Sequence, residues 1–415
     1  MSAPTDALFD LVIRNVRTQE HGPLIDIGVR DGRVAAMQPG LRCEAVEDFD
    51  GDGAFAFGGF VDSHIHLDKA CILDRCTVCA GTLIEAVQET ARAKAGFAEE
   101  DVYARAARVV EKAISHGTVR MRSFVEIDPR AGFRSFEAIK RIKADYAFAI
   151  DIEICAFVQD GLTNEPETGA MLEAALADGA DLVGGCPYMD PDPTGHVEAI
   201  FEIAVRHGVA IDFHLDFDLD PGHTSLPAVV EATLRHGWQG RVAIGHVTNL
   251  SAMAEPEVLA IADRLAHAGI ALSVLPATDL FLTGRGHDRL VPRGVAPAHL
   301  LAGRGVVTSI ASNNILNPFT PYGDASLIRM ANLYANVTQL SRDADISGVF
   351  DMVSTSAARQ LGATHGVAPG NEATIVLLDS AGETAAIREI GRVIAGWKRG
   401  RKSFDNGRPR LHRPT

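Results

Sequence analysis

The sequence predicts an α/β chain, a (β/α)8 TIM-type barrel with a small β-sandwich domain built from both termini. Three observations predict it. Short β-branched runs alternate with helical patterns through the middle of the chain, eight strands in all. The two flanks carry strand patterns instead. An apolar run, Phe55 to Val61, leads into His64-Ile65-His66, and polar groups at the C-terminal end of a barrel strand are where such folds do chemistry.

The strand patterns are Phe60–His66, Val119–Glu126, Ile152–Gln159, Leu182–Tyr188, Val209–Asp216, Arg241–Val247, Ile270–Ala277 and Val306–Asn313. Between them the 3.6-residue period marks helices such as Asp101–His116, Thr168–Asp178, His196–His207, Leu226–His236 and Glu255–His267. His116-Gly117, His207-Gly208 and His236-Gly237 are helix ends, with a basic residue in the last turn and glycine beyond it. These histidines are expected to cap helices. Before the barrel, Asp10–Thr18 and Ile25–Val34 are hairpin-type strands, the second broken by Asp31-Gly32. Ala373–Asp379 and Ile390–Trp397 mirror them at the far end. The expected division is residues 1–57 plus 368–415 for the small composite domain and 58–367 for the barrel. The basic tail from Lys398 to Arg413 is expected to be solvated and partly mobile.

At 415 residues the chain can bury a large core. Its 47% hydrophobic and 22% charged content is ordinary for a globular protein. A net charge of −15 argues against nucleic acid and anionic membranes as partners, since both are bound through Lys and Arg. No apolar stretch approaches the ~18 residues of a membrane span. Met1 to Asp10 has no basic segment of the secretory kind, so a cytoplasmic location is the default expectation. Six cysteines in a chain this long are not a disulfide framework. Cys76-x-x-Cys79, with Cys71 nearby, is either a redox or zinc pair or a set of buried free thiols, and it lacks a second such pair.

On a strand, His64 and His66 share a face because side chains alternate with period two. Two neutral imidazoles on one face begin a metal site. Polar residues at the other strand ends extend the constellation: Glu126 on strand 2, Gln159 on strand 3, His214 and Asp216 on strand 5, His246 on strand 6, and Asn313 with Asn314 on strand 8. Each alone is an ordinary satisfied polar residue. Gathered at one end of one barrel they make a candidate site.

Gly58-Gly59-Phe60-Val61-Asp62-Ser63-His64-Ile65-His66-Leu67-Asp68-Lys69 resembles the first-strand motif of the amidohydrolase superfamily. Phe157-Val158-Gln159-Asp160-Gly161, Asp212-Phe213-His214-Leu215-Asp216, Gly245-His246-Val247-Thr248 and Ala311-Ser312-Asn313-Asn314 are similar in order and spacing to its cytosine-deaminase-like branch. That branch includes amidohydrolases of N-alkylated triazine rings. The resemblance covers nearly the whole chain. It implies that His64, His66 and His214 hold one divalent metal ion, zinc or iron, with a fourth ligand from the end of strand 8. It implies that this metal activates water for attack on a ring carbon bearing nitrogen. His246 would orient that water or stabilise developing charge, and Gln159 would bond the ring amide of the substrate. The family's barrels often assemble as homo-oligomers, although no surface in the sequence declares an interface.

The chain departs from that pattern. Asn313 stands where the family has a strand-8 aspartate that both ligates the metal and shuttles protons. An amide ligand is neutral, so the metal is expected to be weakly held. Phe217 stands where cytosine deaminases carry a glutamate, three residues after the strand-5 histidine. Phe124 and Glu126 differ from the usual His and Asp on strand 2. The remaining acid/base candidates are Asp216, Asp218 and Glu126. Alternation puts Asp216 on the His214 face and makes it the first choice, against a solvated loop carboxylate. Lys69 either meets an anionic substrate group or pairs with Asp68 or Asp74. The proline-rich loop Asn317–Asp324 would wall the pocket, with Phe217 and Phe319 presenting apolar faces to a planar ring. The expected activity is metal-dependent hydrolysis of a non-peptide C–N bond in a small cyclic amide, amidine or nitrogen heterocycle. The alternatives are an N-alkyl heterocycle amidohydrolase releasing an amine and a catalytically silent heterocycle-binding relic.

Overall fold

The structure is a computed structural model and describes residues 8–412 apart from Cys79, so the Cys76-x-x-Cys79 pair lies partly outside the described residues. Four strands precede the barrel: β1 (Phe9–Val16), β2 (Ile25–Arg30), β3 (Arg33–Gln38) and β4 (Ala45–Asp50). They form one sheet in the order β3-β2-β1-β4. Asp31 and Gly32 both take positive φ, 52° and 70°, the geometry that a two-residue hairpin turn requires. After β5 (Phe55–Phe57) the chain enters the barrel and emerges to form β14 (Ile375–Asp379), β15 (Arg392–Lys398) and β16 (Arg401–Asp405). These pair with β5 in the order β16-β15-β14-β5. Leu11, Ile13, Ile27 and Val29 of the first sheet share one buried cluster with Ile375, Leu377 and Trp397 of the second. Facing apolar sides are what make two sheets a sandwich.

The tail is a correction. Lys398 onward is not simply solvated, because β16 pairs antiparallel with β15. Lys398 is buried and its Nζ lies 2.5 Å from Asp151 Oδ1. The basic residues Arg401 and Lys402 suggested solvent, but an edge strand keeps long cationic side chains in water while its backbone pairs.

The barrel strands are β6 (Phe60–Ile65), β7 (Thr118–Glu126), β8 (Asp151–Val158), β9 (Leu182–Gly185), β10 (Ala210–Leu215), β11 (Val242–His246), β12 (Ile270–Val274) and β13 (Thr308–Ile310). All eight pair in parallel in chain order. Helices such as Glu99–Ser115, Pro166–Ala177, Pro193–His207, Leu226–His236 and Glu255–His267 connect them, within a few residues of expectation. Gly208 and Gly237 close their helices in the left-handed conformation directly after a histidine, as the caps predict.

The ring closes between β6 and the chain just past β13. Asn313 N donates to His64 O at 2.8 Å, and His66 N donates to Asn313 O at 2.9 Å. The seam of the barrel therefore runs through three residues of the candidate site. Beneath it, Ser63, Ser273, Ser309 and Gln360 exchange hydrogen bonds, including Ser63 to Ser309 at 2.7 Å and Ser309 to Gln360 at 2.8 Å. This polar floor ties β6, the strand that carries His64, to β12 and β13.

Candidate metal centre and active site

His64 and His66 leave β6 on one face, and His214 arrives from β10. His64 Nε2 lies 3.1 Å from His214 Nε2, and His66 Nε2 lies 2.9 Å from the same atom. All three residues are buried. Burial pushes each imidazole well below its usual range, and the neighbouring cations and imidazoles push it further, so each ring is neutral and keeps a lone pair. His214 Nε2 carries either one proton or one lone pair in the ring plane, so it cannot satisfy both neighbouring ring nitrogens at once, and the crowded nitrogens repel. A cation among the three nitrogens relieves that repulsion, and an all-imidazole donor set suits zinc or iron. These are also the one group among the described residues whose His, Cys, Asp or Glu ligand atoms converge for a metal.

The rings are held by packing. Phe124 stacks on His64 at 3.9 Å between centroids, and Phe157 lies 4.3 Å from His214. The Nδ1 atoms of all three histidines are buried without a hydrogen-bond partner among the described residues. Gly245 is glycine for a steric reason: a Cβ there would sit 3.1 Å from His64 Cε1. Asn313, at φ 59°, keeps its backbone in the seam while both atoms of its amide are buried and unpartnered. An orphaned buried amide on a residue whose backbone bonds both His64 and His66 is a candidate neutral fourth donor. The donors present therefore fit a single divalent ion.

A small cavity opens above the triad. His66, His214 and His246 border it, as do Lys69, Gln159, Phe217, Asn314 and Phe319 from the expected set. Phe217 meets His246 edge-on at 4.6 Å. Asn314 Oδ1 accepts from Asn317 Nδ2 at 2.7 Å, and Asn317 Oδ1 accepts from the backbone of Phe319 at 3.0 Å, which stiffens the wall. The roof residues Leu83 and Leu282, with Tyr188 and Thr278, complete the lining.

Lys69 is paired with Glu126, not with Asp68 or Asp74. Lys69 Nζ lies 2.6 Å from Glu126 Oε1, with Gln159 Oε1 at 3.4 Å and the Phe319 ring centre at 4.6 Å. The other oxygen of Glu126 receives Lys94 at 2.7 Å, and Lys94 also reaches Asp128 at 2.5 Å and Asp160 at 2.6 Å. Burial pushes the Glu126 carboxyl up, but the two ammonium groups outweigh it and hold it down to about 2. Glu126 is therefore a fixed anion and not a proton carrier near neutral pH. Asp68, buried beside that anion, is pushed up to about 6.

Asp216 does not join the cavity wall. The strand ends at Leu215, and Asp216 turns at φ 49°, so alternation no longer governs its direction. Its carboxylate accepts from Thr224 Oγ1 at 2.5 Å and from Ser225 N at 2.8 Å, which clasps the following loop. Cys71, Cys76, Cys155 and Cys186 are free thiols, the first two only half-buried.

Leu83, Thr278 and Leu282 of the lining escaped the sequence reading, and so did three residues that hold the site's polar groups. Tyr188, whose side chain interacts with Cys186 and Gln159, closes the expected fourth strand and was within reach of the strand-end inventory. Asp279 bonds His246 Nδ1 at 2.7 Å and lies two residues past the expected seventh strand. Lys94 ends the helix Leu83–Lys94, where nothing local marks it as buried.

A barrel of eight parallel strands with a histidine triad at the C-terminal end of its strands, and a sandwich made by both ends of the chain, defines a metal-hydrolase type of architecture. A family model described as the amidohydrolase family matches residues 77–404, and the chain belongs to that family. Its relatives fall in the branch that the strand motifs resemble. N-isopropylammelide isopropyl amidohydrolase of Pseudomonas sp. (strain ADP) is 24% identical over 95% of this chain and 96% of its own length. Pterin deaminase of Rhizobium rhizogenes is 28% identical over 86% of this chain and 82% of its own. Among solved structures, 5-methylcytosine deaminase from Klebsiella pneumoniae superposes with a TM-score of 0.92 at 25% identity, covering 97% of this chain and 99% of that one. N-isopropylammelide isopropylaminohydrolase from Burkholderia multivorans gives 0.84 at 29% identity, covering 96% and 98%. The chain is thus an enzyme of a family whose members act on C–N bonds. Among the described residues, no helix is long and apolar enough to cross a membrane.

Proposed function

We propose that this protein hydrolyses a C–N bond in a small oxo- or amino-substituted nitrogen heterocycle, releasing ammonia or an amine. The observation that carries the reading is the meeting of three imidazole Nε2 atoms beneath a small cavity that His246, Gln159 and Lys69 border. His64, His66 and His214 would hold one divalent ion, with the amide of Asn313 as fourth donor. That ion, zinc or iron, supplies Lewis acidity and makes water acidic enough to ionise near neutral pH.

The remaining steps belong to the chain. The carboxamide of Gln159 both donates and accepts, so it matches the N–H and C=O of a ring amide. Its Oε1 faces Lys69 and its Nε2 lies 3.4 Å from Cys186 Sγ, which fixes the orientation it presents. Lys69 offers a further N–H to a ring oxygen, its charge balanced by Glu126. Phe217 and Phe319 cover the faces of a flat ring and keep water out. His246 sits beside the triad, its ring centre 5.3 Å from that of His214, and holds or releases a proton where the leaving nitrogen departs. Neither Asn313 nor Phe217 can take that proton. A substrate with a good leaving group therefore suits this site better than cytosine does.

The test is turnover by zinc- and by iron-loaded protein on 5-methylcytosine, N-isopropylammelide and pterin, with ammonia and alkylamine measured separately. Turnover of a compound of this class supports the reading, and the released base separates deamination from amine release. Full metal loading with no hydrolysis across a broad heterocycle panel overturns it in favour of a silent ring-binding protein, which the neutral Asn313 would then mark.

A further inference from the structure

His246 is held from behind. Its Nδ1 lies 2.7 Å from Asp279 Oδ1, and Asp279 Oδ2 accepts the Leu275 N–H at 3.2 Å. Asp279 is wholly buried, and so is nearly all of His246. A carboxylate only accepts, so the proton in the first contact belongs to His246 Nδ1. Nε2 is then left with its lone pair on the ring edge that borders the cavity. The backbone supports the same end. His246 and Val247 take φ values of 71° and 47°, and a β-branched residue rarely adopts that conformation. Val247 N is tied to Leu215 O at 3.0 Å. Strain of this kind persists only where surrounding contacts enforce it, and here it aims one imidazole.

We infer that Asp279 is a positioning residue that locks His246 in the Nδ1–H tautomer, so that an Nε2 lone pair faces the substrate. The inference rests on the proposed function for its catalytic consequence, though not for its geometry. It also explains how the site manages without the strand-8 carboxylate. Here the nearby anion sits behind His246, on the short helix Pro276–Leu282 after β12, and works through the imidazole.

The two bonds of Asp279 make the test sharp. Asp279→Asn replaces the carboxylate with an amide that has one acceptor oxygen and one donor nitrogen, so it cannot accept from both Leu275 N and His246 Nδ1. If the amide oxygen stays on Leu275, the amide N–H points at His246 Nδ1 and forces the proton to Nε2. The readout is the ¹⁵N spectrum of histidine-labelled, zinc-loaded protein, with His246 assigned by its loss in His246→Gln. The wild type is expected to show a protonated Nδ1 and an unprotonated Nε2. In Asp279→Asn the two are expected to exchange, with unchanged zinc content. On whichever panel compound the wild type hydrolyses, kcat should fall by about a hundredfold or more while KM moves by less than about threefold. A wild-type His246 protonated at Nε2 overturns the inference, and so does Asp279→Asn with the wild-type tautomer. If that variant does not fold, the wild-type tautomer decides alone. A tautomer exchange in a protein that hydrolyses nothing on the panel sinks the proposed function and leaves the positioning intact. Hydrolysis with no tautomer exchange does the reverse.

Discussion

Glu126→Gln is expected to destabilise the protein through one named group, Lys69. Glu126 sits between two buried ammonium groups, 2.6 Å from Lys69 and 2.7 Å from Lys94. Removing its charge leaves Lys94 with Asp128 at 2.5 Å and Asp160 at 2.6 Å, so Lys94 stays paired. Lys69, whose side chain is 2% exposed, keeps Gln159 Oε1 at 3.4 Å, the Phe319 ring and the longer-range charge of Asp68, with no carboxylate in direct contact. Breaking a buried pair by removing one partner costs about 3–5 kcal/mol, because the other charge is left uncompensated. For 415 residues the unfolding entropy is about 0.9 kcal/mol per degree, so the melting temperature should fall by roughly 3–6 °C. Adding Lys69→Met removes the stranded charge, and the double variant should regain most of the loss in a scan under the same buffer. The reasoning is refuted if Glu126→Gln melts within a degree of the wild type. It is equally refuted if the double variant is no more stable than Glu126→Gln.

The same carboxylate sets a pH dependence. Glu126 titrates lower in the fold, at about 2, than its ordinary value of 4.5, so its contribution is complete above that ordinary value and is lost as pH falls through the folded one. The stability gap between wild type and Glu126→Gln, measured by denaturant titration, should therefore close between pH 4.5 and about 2, and a constant gap contradicts this. Asn313→Asp adds an anionic donor beside the ion, and a tenfold gain in retention corresponds to ~1.4 kcal/mol. Dialysis against graded chelator should show roughly tenfold tighter metal retention, and an unchanged retention curve argues that Asn313 is not a ligand. His214→Ala removes the nitrogen shared by both close imidazole contacts, and elemental analysis should find it with less than about a tenth of the wild-type metal. Gln159→Leu should raise KM by about tenfold with a smaller change in kcat, since it removes a contact made in both ground and transition states.

Much of this architecture was legible in the sequence. The eight barrel strands show as β-branched runs because parallel strands buried on both faces must be apolar. His64-x-His66 shows because two-residue alternation is local. His214 and His246 stand at strand ends, where the barrel fold itself says to look. What escaped depends on contacts between residues distant in sequence. Nothing near Lys69 shows that its partner is Glu126, or that Lys94 arrives from a helix end to share it. Asp216 misled because alternation holds only within a strand, and the strand stops one residue earlier. Asp279 was missed because the inventory of polar strand ends stopped at the seventh strand with Ala277. Strand β16 was hidden by Arg401 and Lys402, whose charges say nothing about backbone pairing at an edge.

The account stands on one ion held among three imidazoles. Crystals of the zinc-loaded protein, measured on both sides of the zinc absorption edge, test this directly. The account predicts one anomalous peak lying ~2.1 Å from the Nε2 atoms of His64, His66 and His214. A fully loaded protein with its peak elsewhere, or with none between these three rings, contradicts it.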